Sequence, residues 1–185
     1  TAQQLEAAIT EKTKCLMLNN PSNPTGMIYS ADELRAIADV CVKHDLYILA
    51  DEIYYQLIYD GIEFTSIASL CDEVKERTLL INGVSKSYAM TGWRLGYACA
   101  PKEIIQQMTK IHQFAIMCAP TTSQYAAIEA LKNGDDDVET MRQAYNQRRR
   151  FLLHAFKEIG LECFEPFGAF YVFPSIKEFN MTSEE

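Results

Sequence analysis

The sequence predicts an α/β fold of three layers. Its sheet is mainly parallel with one antiparallel strand, and it leads into the start of a small α+β domain. Three observations predict this. Short apolar runs stand at 14–18, 46–50 and 78–81 without period-2 alternation, as expected of strands covered on both faces. A helix-periodic segment separates the first two, so they pair in parallel through a right-handed crossover. A fourth run at 95–100 follows the third too closely for a helical crossover, which makes it antiparallel.

The helices follow from caps and spacing. Ser30 with Glu33 three residues on makes a capping box. Leu34, Ile37, Ala38 and Cys41 then fall on one helical face. Pro101 opens a helix in which Ile104, Met108, Ile111 and Ala115 line one side. A helix from about Ser123 to Asn133 ends at Gly134, read as a C′ glycine. Asp135, Asp136 and Asp137 suit the positive end of a long helix that stops at Gly160. Short strands are expected at 161–164 and 169–173. The domain division is residues 1–134, then 135–185.

A chain of 185 residues holds one medium domain, or one domain and part of another. At 48% hydrophobic and 23% charged it is globular rather than disordered. A net charge of −8 argues against a nucleic-acid partner, and the one basic run, Arg148–Arg150, reads as a solvated helix face or ion-pair partners. Six cysteines without C-x-x-C spacing, several inside apolar runs, read as free, buried thiols of a cytoplasmic protein. The three histidines are scattered, so no metal site is expected. No apolar stretch of 18 residues and no signal-peptide pattern is present, so no membrane partner is expected either.

The chemistry collects where the strands end, which is where open α/β sheets bind ligands. The first strand empties into Asn19-Asn20-Pro21-Ser22-Asn23-Pro24-Thr25-Gly26, the second into Asp51-Glu52-Ile53-Tyr54, and the third into Asn82-Gly83-Val84-Ser85-Lys86. A lysine at such a place can form an imine with an aldehyde cofactor. Arg94, eight residues on, can hold a phosphate through its planar fork. An imine carbon plus a phosphate suggests pyridoxal 5'-phosphate. Asp51 can then pair with the pyridine nitrogen, and Tyr54 and Asn23 can hydrogen-bond the ring phenolate. The Ser85 hydroxyl can join Arg94 at the phosphate. Each residue alone has a bland reading: a surface lysine, a capping aspartate, a core tyrosine, an Asn-Pro-Thr-Gly turn. One shared site explains all of them together. Most aromatics, Phe170 and Tyr171 among them, are assigned to packing.

These segments resemble class I aminotransferases of the type I pyridoxal phosphate fold. The matching residues are Asn20-Pro21-x-Asn23-Pro24-Thr25-Gly26, Asp51-Glu52-x-Tyr54 and Ser85-Lys86-x-x-x-Met90-x-Gly92-Trp93-Arg94-x-Gly96-Tyr97. Gly168-Ala169-Phe170-Tyr171 is similar to the family's entry into its small domain. The resemblance covers essentially the whole chain and is nearest to bacterial aspartate and aromatic aminotransferases. It implies that Lys86 is the Schiff-base lysine, Asp51 the pyridinium partner, Tyr54 and Asn23 the phenolate partners, and Arg94 a phosphate ligand. Asn23-Pro24 is similar to a bond that is cis in some members. Family members are about twice as long, so an internal fragment of a homodimeric enzyme is expected.

The expected activity of the parent is amino transfer between an L-amino acid, aspartate or aromatic, and a 2-oxo acid. A C–S β-lyase on the same scaffold and an aminotransferase-like sensor domain of a transcription regulator stay open. So does an inert fragment.

Overall fold

The computed structural model describes residues 1–184. Helix α1 (Ala2–Ala8) precedes strand β1 (Cys15–Asn19), helix α2 (Ala31–Lys43) and strand β2 (Tyr47–Asp51). A short helix α3 (Asp72–Lys75) leads into β3 (Thr78–Gly83), and β4 (Gly96–Cys99) follows. Three helices come next: α4 (Lys102–Ala115), α5 (Thr121–Asn133) and α6 (Asp135–Glu158). The strands lie in the order β1-β2-β3-β4. The first two pairs are parallel and the last is antiparallel, as the spacing predicts.

The main core forms on one sheet face. Leu18, Ile48 and Ala50 pack against Leu34, Ile37, Ala38 and Cys41 of α2, with Ile67 and Val74 from the stretch before β3. Each large aliphatic side chain buried there contributes about 1.5–3 kcal/mol. The capping box holds the start of α2: the Glu33 N–H donates to Ser30 Oγ at 3.3 Å, and the Ser30 N–H donates to Glu33 Oε2 at 2.8 Å. Those bonds keep the Glu33 carboxyl below its ordinary pKa.

The structure departs from several sequence expectations. The neighbours of the core residues on β1 and β2 point to the opposite face, and Met17 and Tyr47 there are 77% and 56% exposed. An apolar run without alternation signals cover on both sides, but among the described residues nothing lies over these two. On α4, Ile104 and Met108 are half-buried, while Ile111 and Ala115 are exposed, so the expected apolar stripe is only partly covered. Helix α1 is an addition to the expected elements, and Thr1 and Gln4 form its capping box.

Gly134 is not a left-handed cap: its φ is −94°, and it joins α5 directly to α6. Its small size is needed instead, because a Cβ there would lie 2.6 Å from the Ala130 carbonyl oxygen. Gly160, at φ +75°, does terminate α6 in the left-handed region. The two short strands expected after it are not formed. Only isolated bridges, Cys163 to Pro174 and Ile58 to Gly168, occur there. Apolar β-formers at 161–164 and 169–173 lack a partner strand in register, and unpaired segments cannot build a ladder.

Helix α6 is tied to the sheet side through Arg149, which is 5% exposed. Its guanidinium donates to Asp60, to Glu165 at 3.2 Å and to the Pro166 carbonyl at 2.9 Å. It also lies over the Tyr59 ring at 5.1 Å. Arg142, on the same helix, donates to the Ile58 carbonyl at 3.0 Å.

Candidate functional site

The three parallel strands end level. Asn19 of β1 is in register with Asp51 of β2, and Asp51 with Ile81 of β3. The ladder continues one step further, since the Asn20 N–H donates to Asp51 O and the Glu52 N–H to Ile81 O, both at 3.0 Å. The three polar segments therefore leave the sheet side by side.

After β1 the chain turns tightly, with cis bonds at Asn20-Pro21 and Asn23-Pro24. Asn19 organises this turn. Its Nδ2 donates to Asp51 O at 3.1 Å, and its Oδ1 accepts from the Asn23 N–H at 2.6 Å. Gly26 follows at φ +73°, and its carbonyl accepts from the Gly168 N–H at 2.9 Å. A distant segment, 166–171, is thereby fastened to this loop.

After β2, Asp51 and Glu52 take different surroundings. The Asp51 carboxylate is half-buried and accepts from the Ile53 N–H at 3.2 Å. Glu52 is 4% exposed and accepts from the Ser66 hydroxyl at 2.8 Å. Burial pushes its carboxyl up to about 7, against the opposing pull of Ser66 and the Ile67 N–H. Tyr54 is 2% exposed. Its hydroxyl pKa is well above the ordinary tyrosine value, first because it is buried and then because it bonds Tyr171 and faces Asp51. A hydrogen bond from the Asn23 side chain works the other way.

After β3, the buried Val84 anchors the loop against Ala127 of α5 and Met90. Lys86 is half-buried, and its Nζ lies 5.8 Å from the Tyr54 ring centroid and 5.7 Å from that of Phe170. It makes no ion pair among the described residues. An amine held there without a carboxylate partner among the described residues is one that can react with a carbonyl. Ser85 is half-buried. Arg94 follows a short 3₁₀ turn, Thr91–Trp93, at φ +51°, and donates to the Thr91 carbonyl at 2.9 Å.

Of the six residues singled out in the sequence, the structure brings together Asn23, Asp51, Tyr54 and Lys86. Among the described residues no hydrogen bond or ion pair joins Ser85 or Arg94 to that group.

Two residues assigned to packing stand at the site itself. Phe170 and Tyr171 do pack, edge-on to Tyr54 at centroid distances of 5.3 and 5.7 Å. Phe170 also faces Lys86, and the Tyr171 hydroxyl lies 2.6 Å from that of Tyr54. They arrive from more than eighty residues away. The available signal was Gly168-Ala169 just before two aromatics: a small-residue pair that lets the backbone approach another loop closely.

Comparisons with known proteins show the family. Residues 1–183 match the family described as aminotransferase class I and II. The chain is similar to the putative aminotransferase YugH of Bacillus subtilis (strain 168), at 56% identity over 185 residues, 100% of this chain and 47% of that protein. It is also similar to the aspartate aminotransferase of Geobacillus stearothermophilus, at 48% identity over 179 residues, 96% of this chain and 46% of that one. Among solved structures, an aromatic aminotransferase from Pyrococcus horikoshii OT3 matches with a TM-score of 0.95 and 42% identity, covering 100% of this chain and 50% of that one. The chain thus spans about half the length of the curated relatives it matches.

Proposed function

Because the chain belongs to the class I and II aminotransferases, we propose that the whole protein moves an amino group from an L-amino acid to a 2-oxo acid with pyridoxal 5'-phosphate as cofactor. The observation that carries this reading is the meeting of three strand ends, which sets the Lys86 amine beside Tyr54 and Tyr54 beside Asn23 and Asp51.

The donor set fits the cofactor. It offers an amine for the aldehyde, a carboxylate for the ring nitrogen, and a phenol and an amide for the ring oxygen. Ser85 and Arg94 offer a hydroxyl and a guanidinium for the phosphate. When bound, the cofactor supplies an aldehyde for amine exchange and a ring that takes up the electron pair of the substrate Cα–H bond.

The chain's own residues do the rest. Lys86 would hold the cofactor's aldehyde carbon, and its Nζ could carry a proton to or from the substrate Cα. Asp51 would face the ring nitrogen and favour its protonated form. Tyr54 and Asn23 would donate to the ring oxygen and favour its anionic form. Phe170 and Tyr54 flank the Lys86 amine with their rings. Arg94 can hold the phosphate with two parallel hydrogen bonds.

The proposed substrates are aspartate or an aromatic amino acid with a 2-oxo acid acceptor, since aspartate and aromatic aminotransferases stand among the similar proteins. A homodimer in the cytoplasm belongs to the same reading. Exposed apolar side chains at Phe114, Met117 and Tyr125 are compatible with a protein surface over them. No helix among the described residues is long and apolar enough to cross a membrane. The relatives' names favour amino transfer over β-elimination on this scaffold.

The test is to incubate the protein with pyridoxal phosphate, reduce with borohydride and map the modified lysine. Label on Lys86, together with conversion of 2-oxoglutarate in the presence of aspartate or phenylalanine, is the expected result. Label spread over surface lysines with no conversion overturns the reading.

A further inference from the structure

The aromatic cluster beside Lys86 contains a hydrogen bond that packing does not require. Tyr171 touches Tyr54 and Phe170 through its ring, at centroid distances of 5.7 and 4.9 Å, and a phenylalanine would keep both contacts. Its hydroxyl instead reaches the hydroxyl of the nearly inaccessible Tyr54 at 2.6 Å.

Each phenol has one proton to donate and two lone pairs with which to accept. The Asn23 side chain acts on the Tyr54 oxygen in the sense that favours its charged form, and the bond between the two hydroxyls can be donated from either oxygen. We propose that Tyr171 is a positioning residue: its hydroxyl donates to the Tyr54 oxygen and so commits the single Tyr54 proton to the ring oxygen of bound pyridoxal phosphate. The inference rests on the function proposed above and adds to it a residue that does not touch the cofactor.

The backbone holds Tyr171 in place for this. Its turn carries Ala169 at φ +57°, fully buried. The Ala169 N–H donates to Leu57 O at 2.8 Å, and the Tyr59 hydroxyl donates to the Ala169 carbonyl. The Gly168 N–H donates to Gly26 O at 2.9 Å, so the segment bearing Tyr171 and the loop bearing Asn23 are braced against each other. The two donors to the Tyr54 oxygen therefore come from one rigid junction. A tyrosine that accepts two hydrogen bonds is a stronger donor through its own O–H, because the bonds polarise one another.

The titratable and charged groups around this pair are few. Asp51 stands at the end of β2 and Lys86 after β3. Tyr145 of α6 lies behind Phe170 at 5.2 Å between ring centroids, with Arg148 over its outer face at 5.7 Å. Tyr59 and Arg149 lie on the far side of Ala169. Of these, only Tyr171 bonds the Tyr54 hydroxyl through an ionisable group.

The experiment uses the whole protein reconstituted with pyridoxal phosphate, and its readout is spectroscopic. Borohydride reduction and peptide mapping come first, on wild type and on Tyr171→Phe. The visible absorption of the bound cofactor is then followed against pH in wild type, Tyr171→Phe, Tyr54→Phe, the double variant and Tyr145→Phe.

The expected result is label on Lys86 in every protein. The absorption midpoint should rise by about half a pH unit in Tyr171→Phe, because a weaker donor leaves the ring oxygen holding the shared proton more tightly. Tyr54→Phe should move it further in the same direction, and the double variant should match Tyr54→Phe alone, since Tyr171 acts only through Tyr54. Tyr145→Phe, which removes a hydroxyl from the same cluster, should not move it. An unchanged midpoint in Tyr171→Phe, or shifts that add in the double variant, overturns the role of Tyr171 while leaving the functional reading intact. Failure to label Lys86 in wild type removes the functional reading and this inference with it.

Discussion

Gly168 lies against Pro21 so closely that a Cβ on the glycine would collide with the proline Cβ and stand 2.9 Å from its Cγ. The contact locks the start of the C-terminal segment onto the loop that follows β1. On the other side of the same junction, a Cβ on Gly26 would lie 2.9 Å from the Gly168 carbonyl oxygen. Asn23 and Tyr171 depend on this junction for their positions.

Gly168→Ala is therefore expected to destabilise the protein by about 1–3 kcal/mol, the usual cost of overpacking a tight contact. It should also lower affinity for pyridoxal phosphate by displacing Asn23. Chemical denaturation and a cofactor titration check both. A stable variant with wild-type affinity would show that the junction yields without effect on the site.

Lys86→Ala should abolish both borohydride labelling and amino transfer, since no other described lysine lies against the Tyr54 and Phe170 rings. Residual turnover near the wild-type level would remove Lys86 from the chemistry. The assay is single-turnover conversion of amino acid by the cofactor-loaded protein.

Asp51→Asn keeps the shape of the side chain and its bond from the Ile53 N–H but removes the charge. Cofactor should still label Lys86, while amino transfer falls by roughly a hundredfold or more, about 2.7 kcal/mol of barrier. Normal turnover would make Asp51 a turn residue that holds the 52–54 loop and nothing more.

Glu52 makes stability pH-dependent in a direction that can be worked out. The fold raises its carboxyl from an ordinary 4.5 to about 7. Between those values the folded state holds a proton that the unfolded chain releases. Stability is then full below the lower value and falls as pH rises towards the upper one. The loss is about 3 kcal/mol by pH 8, as the 1.36 kcal/mol per unit relation gives. Glu52→Gln should flatten this slope and be more stable than wild type at pH 8, since the amide can still accept from Ser66. Urea melts at pH 5 and pH 8 measure it, and an unchanged slope would show that Glu52 is not its source.

Arg149→Met tests the tie between α6 and the loops. Among the described residues, removing the guanidinium leaves Asp60 with only the exposed Arg150 as an ionic partner and takes the donor from the Pro166 carbonyl. Asp60 and Glu165 keep access to solvent, so the loss should fall at the low end of buried ion-pair deletions, about 2–3 kcal/mol. Thermal melting checks this, and a loss below about 0.5 kcal/mol would place Arg149 with ordinary surface ion pairs.

Much of the fold and the site was legible along the chain. The runs at 14–18, 46–50 and 78–81, the Ser30–Glu33 box and the short link before Gly96 determined the sheet order and its one antiparallel pair. Those signals are local, written in side-chain period and loop length. Asn23, Asp51, Tyr54 and Lys86 were legible for the same reason, since each closes or follows an element whose end could be read.

Tertiary structure alone decided what lies between the elements. It brought Phe170 and Tyr171 to Lys86 and Tyr54 across more than eighty residues, and it turned Glu52 inward to Ser66 while Asp51 stayed at the site. It also left Met17 and Tyr47 uncovered and the segments at 161–164 and 169–173 without ladders. Packing and hydrogen-bond partners are properties of pairs brought together by the whole fold. A pattern that repeats every two or every 3.6 residues specifies a face, but not what meets it.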